Sequence, residues 1–145
     1  MTSWLTEKTG RIICWILVIV DSLLGTLATF FPQTACTLMQ PHVTTADCPA
    51  DLIRRTGVVW LMYLILQLCA ARSRHPARWF FSVGLIRLVE VPADLVYGVL
   101  AQDLAGVARW LILLAPVCNG AFGILLVAIA HLIRTPGPPS TREET

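Results

Sequence analysis

The chain has 145 residues, of which 56% are hydrophobic and 14% charged, and its mean hydropathy is +0.70. Soluble domains carry about 25% charged and about 45–50% apolar residues, so the composition excludes intrinsic disorder and points to a single integral membrane domain. A net charge of +2 without a basic stripe argues against nucleic acid as a partner.

The first apolar run is Arg11–Phe31, broken only by Asp21. Its basic flank and apolar core, Ile12–Val20, have the shape of a signal peptide. Asp21 interrupts that core, however, and Gln33, three positions before Cys36, is not aliphatic, so a retained span is expected. A long connection, Pro32–Leu52, follows. It holds Cys36 and Cys48, a candidate disulfide if this loop faces an oxidising compartment. The second span is expected over residues 53–71, with Pro49 and Asp51 as residues suited to an earlier start. The third, residues 79–100, is interrupted by Arg87, Glu90 and Asp94 and contains Pro92. The fourth covers residues 109–133. Each approaches the roughly 20 helical residues needed to cross a hydrocarbon core of about 30 Å, and no strand alternation competes. The proline-rich tail, Thr135–Thr145, reads as a disordered cytoplasmic segment after a domain of residues 1–134.

The short connections Arg72–Arg78 and Ala101–Ala108 imply antiparallel neighbours. The expected fold is all-α, a four-helix transmembrane bundle running up-down-up-down. Lys8, Arg11, Arg72, Arg74, Arg78, Arg134 and Arg142 fall on one side, and Arg54, Arg55 and Arg109 on the other. The positive-inside rule then places both termini in the cytoplasm of a cell with this protein in its inner or plasma membrane, and Trp4, Trp79 and Trp110 lie near span ends, as interfacial aromatics do.

Charges within spans cost about 2.5–3.5 kcal/mol each near the bilayer centre, so they are expected to face the bundle interior. Steps of three and four residues put Arg87, Glu90 and Asp94 on one side of the third helix, with Leu85, Val89, Val96 and Val99 opposite, toward lipid. Matching stripes run along the other helices: Cys14, Val18, Asp21, Gly25 and Ala28; Thr56, Trp60, Tyr63 and Gln67; Pro116, Asn119, Gly120, Gly123 and Val127. A polar core or ligand-binding centre of Asp21, Gln67, Arg87, Glu90 and Asn119 is therefore expected, with Trp60 and Tyr63 beside it. Asp94 is placed farther out, within reach of Arg54 or Arg55. Cys14, Cys69 and Cys118 read as small packing residues. His42, His75 and His131 are far apart in sequence, and neither CxxC nor HExxH occurs, so neither a metal nor a cofactor is expected.

The stretches RRTGVVWLMYLILQ (Arg54–Gln67) and RLVEVPADLVYG (Arg87–Gly98) resemble small four-helix bacterial membrane proteins of DoxX-like layout. The resemblance covers the pattern of spans. It implies an inner-membrane four-helix protein, tied in some members to redox or quinone-linked systems, and carries over no site residue. The function expected first is that of a non-enzymatic accessory protein or a binder of a lipid or small hydrophobic molecule. Its partners would be the bilayer, such a molecule, another membrane protein or a second copy of the chain. The alternatives are a membrane-embedded enzyme or redox accessory acting on a lipid or quinone, and a small proton-coupled carrier.

Overall fold

The structure is a computed structural model that describes residues 2–39, 44, 47–100 and 106–134. Thr135–Thr145, expected to be disordered, and His42 lie outside the described residues. The described secondary structure is helical: α1 (Thr2–Phe30), α2 (Pro32–Met39), α3 (Ala50–Arg72), α4 (Pro76–Leu100) and α5 (Gly106–Arg134).

Helix α1 begins two turns before the expected span. Glu7 and Arg11 form an i,i+4 ion pair at 2.7 Å, and the Lys8 ammonium sits over the Trp4 ring, so polar and interfacial side chains extend the helix. Gly10 fits there because the Phe80 ring packs against it; a Cβ would meet that ring at 2.6 Å. Arg11 also donates to the carbonyls of Ala71 at 2.5 Å and Ser73 at 2.6 Å. It thereby satisfies carbonyls at the C-terminus of α3 and places a cation at the negative end of its dipole.

Proline marks three of the helix starts. Pro32 follows the end of α1 and occupies the first position of α2, where a missing N–H costs nothing. Pro49 precedes α3 with φ −76°, and Asp51 lies in that helix's first turn. Pro76 opens α4 after Ser73 leaves α3 in an extended conformation, φ −62° and ψ 143°. Helix α2 is a departure from the expected loop over Pro32–Leu52. Its Ala35 and Cys36 are buried while Gln33, Thr34 and Thr37 are exposed, so it lies as a short amphipathic element touching α1, α3 and α5.

The long helices form two antiparallel pairs, α1 with α3 and α4 with α5, whose internal contacts far exceed those between the pairs. In the first pair Thr29 meets Gly57, Gly25 meets Leu61, and Asp21 meets Gln67. In the second, Gly84 meets Gly123 and Gly98 meets Ile112. The apolar core joining the pairs is built from Ile13, Cys14 and Leu17 of α1, Ala70 and Ala71 of α3, Phe80 and Val83 of α4, and Leu126, Ile129 and Ala130 of α5. Those residues lie near the middle of α1, the start of α4 and the ends of α3 and α5, so this cluster sits toward one end of the molecule.

The outer surface is apolar. Ile19, Leu23, Met62, Ile65, Val89, Val96, Ile124 and Leu125 are among many exposed large hydrophobic side chains. Helices α1, α3 and α5 contain segments long and apolar enough to cross a membrane, Trp4–Phe30, Ala50–Arg72 and Ile112–Arg134. An apolar exterior over three such helices marks a membrane protein.

Candidate functional site

A single hydrogen-bonded chain of polar side chains runs through the junction of the two helix pairs. Asp21 on α1 accepts from Gln67 Nε2 of α3 at 2.6 Å and from Arg87 Nη2 of α4 in a short ion pair. Arg87 Nη1 donates to Glu90 at 2.8 Å and reaches Asn119 Oδ1 of α5 at 3.4 Å. Asn119 Nδ2 donates in turn to Asp94 at 2.8 Å. Each of the four long helices contributes at least one member.

The centre of this chain is buried and its rim is partly exposed. Asp21, Gln67 and Arg87 are 3%, 1% and 4% exposed, whereas the Glu90 side chain retains 16% and Asp94 and Asn119 are half-buried. One guanidinium thus serves two carboxylates directly, Asp21 and Glu90, and reaches the third, Asp94, through Asn119. Gln67 Oε1 and Arg87 Nε are buried without a protein partner; they are one acceptor and one donor. Tyr63, one turn from Gln67 on the same stripe, is half-buried and within electrostatic reach of Glu90, Arg87 and Asp21. Trp60 is half-buried nearly one turn farther along α3.

Helical periodicity explains how the sequence assembles this. All five residues of the α1 stripe, Cys14, Val18, Asp21, Gly25 and Ala28, are buried. On α4 the opposite residues Leu85, Val89, Val96 and Val99 are exposed, so the charged stripe is the inward one. Pro92 lies inside α4 among the charges; it has no N–H for the carbonyl one turn back. The cluster of Asp21, Gln67, Arg87, Glu90 and Asn119 is brought together as the stripes predict.

Asp94 differs from expectation in its partner. It pairs with Asn119, while Arg54 reaches Asp51 at 3.5 Å in the exposed first turn of α3. A carboxylate three residues away on the same helix is the nearer partner for an exposed arginine. Sequence reasoning also missed the role of Arg11. The signal was available in its i,i+4 spacing from Glu7, but its carbonyl partners lie sixty residues on and depend on how α1 packs against α3.

Cys36 and Cys48 are free thiols that the fold brings together. Cys36 is buried in α2, and Cys48 points its thiol at the Pro32 carbonyl at 3.9 Å, one turn before Cys36. Burial, then the hydrogen bond and negative charge of Cys48, push the Cys36 thiol up to about 11. Among the described residues no group of three or more His, Cys, Asp or Glu is placed to hold a metal ion.

No protein-family model, no curated protein and no solved structure matches this chain.

Proposed function

We propose that this is a non-enzymatic accessory protein of the membrane, a four-span bundle whose polar centre locks two helical hairpins together and offers its rim to a partner. The observation that carries this reading is the engagement of Arg87 with α1, α5 and its own helix through Asp21, Asn119 and Glu90. A carrier needs Asp21 free to exchange a proton, and an enzyme needs its acids and bases beside a substrate. Here Asp21 and Arg87 are committed to one another, which favours a structural centre.

In this reading α4 also crosses the membrane. Its charged stripe is directed inward and its lipid-facing side is apolar, so its charges need not meet lipid. The chain then runs up-down-up-down with α2 at the outer end and both termini cytoplasmic, as the distribution of lysine and arginine indicates. The DoxX-like layout and an inner-membrane location belong to the same proposal.

The rim supplies the recognition chemistry. Glu90 and Asp94 exceed what Arg87 can neutralise, while Gln67 Oε1 and Arg87 Nε, buried behind them, leave one acceptor and one donor without a protein partner. Trp60 and Tyr63 stand on the same stripe as Gln67. A small amphiphile with a polar head, or a membrane protein with a polar residue in a span, fits this rim. Thermal unfolding of Asp21→Asn in detergent micelles tests the lock. The variant is expected to melt earlier, because a neutral amide replaces the acceptor of both Gln67 and Arg87. An unchanged melt contradicts the reading.

A further inference from the structure

Helices α4 and α5 approach closely where Gly84 faces Gly123. A Cβ on Gly84 would come within 2.9 Å of the Gly123 carbonyl oxygen, so the backbones nearly touch. On the inner side of this contact Val83, Leu126 and Ile129 join the core. On the outer side the same two helices leave a groove of about 440 Å³. Its apolar walls include Phe81 and Leu88 from α4 and Ile124 and Ala128 from α5; His131 also lines it, and it ends at Arg134.

Three features of the groove bear on its occupant. Its α5 wall lies on a segment long and apolar enough to cross a membrane, Ile112–Arg134, its other wall is on α4, and Phe81 and Ile124 are exposed outward. From Ile124 to Arg134 is ten residues, about 15 Å along a helix. That is half of a hydrocarbon core of about 30 Å, the depth of a single leaflet. Arg134, the last residue of the span, holds its guanidinium 5.5 Å over the Phe81 ring, fixing a cation at the groove's polar end. Within the two helices that form the groove the charge at this end has one sign: α5 contains no Asp or Glu, and α4 contains none before Glu90, while Arg78 is exposed near the start of α4.

We propose that this groove binds one acyl chain of an anionic phospholipid, with the phosphate of its headgroup at Arg134. An apolar slot of leaflet depth accepts the chain, and the cation selects the charge of the head. Ala128 contributes the hollow, since a large side chain there would fill it.

The test uses the full chain in nanodiscs of mixed phosphatidylglycerol and phosphatidylcholine, with the lipids that remain bound counted by native mass spectrometry. The wild-type protein is expected to retain phosphatidylglycerol above its share of the bilayer. Arg134→Gln should lower that preference about fivefold, the effect of one cation near an anionic surface. Ala128→Phe should abolish retention with an unaltered helical circular dichroism spectrum. Ile124→Trp, at an exposed position on the same wall, serves the same purpose if Ala128→Phe does not fold. Retention in proportion to the bilayer, or unchanged retention in both groove-filling variants, overturns the proposal. The inference rests on α5 crossing the membrane and not on the polar lock, so failure of the lipid test leaves the Asp21→Asn melt to judge that reading separately.

Discussion

At the scale of single residues, the two cysteines near α2 and the residues of the polar centre show different degrees of legibility. Cys36 and Cys48 could be named as a pair from the sequence, but their proximity depends on Pro32 starting a helix that turns Cys36 inward and leaves its first carbonyl facing Cys48. With the loop outside, the pair is expected to close by exchange with a donor disulfide. Their protons and electrons pass to that donor, which leaves as two thiols. In intact cells an impermeant thiol reagent should then label neither cysteine until a reductant is added; labelling of both beforehand contradicts the disulfide. In reduced protein at pH 8, Cys48 should react well before Cys36. The Cys36 thiol, pushed up to about 11, holds little thiolate there, and the thiolate is the reactive form.

At the scale of elements, packing depends on places where backbones approach. A Cβ on Gly57 would meet the Thr29 amide nitrogen at 2.6 Å, and one on Gly84 the Gly123 carbonyl oxygen at 2.9 Å. Neither neighbour is a flexible side chain, so each helix pair must part to admit a methyl group. Gly57→Ala and Gly84→Ala should each lower stability by about 1–3 kcal/mol, the usual effect of overpacking, measured as a shift in Tm in micelles. A Tm equal to wild type for both would place the close approach elsewhere. The four long helices were readable in the sequence because their apolar stripes recur at helical spacing. Helix α2 was not, since eight residues carry too little periodicity, and only Pro32 marked its start. Helix α1 starts before its apolar run because polar residues such as Glu7 and Arg11 continue it outward, whereas the early start of α3 was legible in Pro49 and Asp51.

For the whole molecule, the apolar cluster that joins the helix pairs lies toward one end, and the polar chain from Gln67 to Asp94 carries the connection between the hairpins onward from it. The stripes put Asp21, Gln67, Arg87, Glu90 and Asn119 on facing sides of their helices but set Asp94 apart from them. They could not foretell the order of contacts, because which nitrogen of Arg87 meets Asp21, Glu90 or Asn119 is set by side-chain geometry rather than by position on a helix face. Polar contacts between membrane helices average about 0.6 kcal/mol, whereas stripping one partner from a buried ion pair costs about 3–5 kcal/mol. Which value applies to Arg87 decides whether the centre is a lock or an ordinary contact. The most direct measurement is a double-mutant cycle, unfolding Arg87→Met, Asp21→Asn and the combined variant in micelles. Arg87→Met should be the most destabilising, by about 3–5 kcal/mol, because it leaves Asp21 charged in a site 3% exposed. The combined variant should recover part of that loss. Losses that simply add, or an Arg87→Met variant as stable as wild type, would contradict the account.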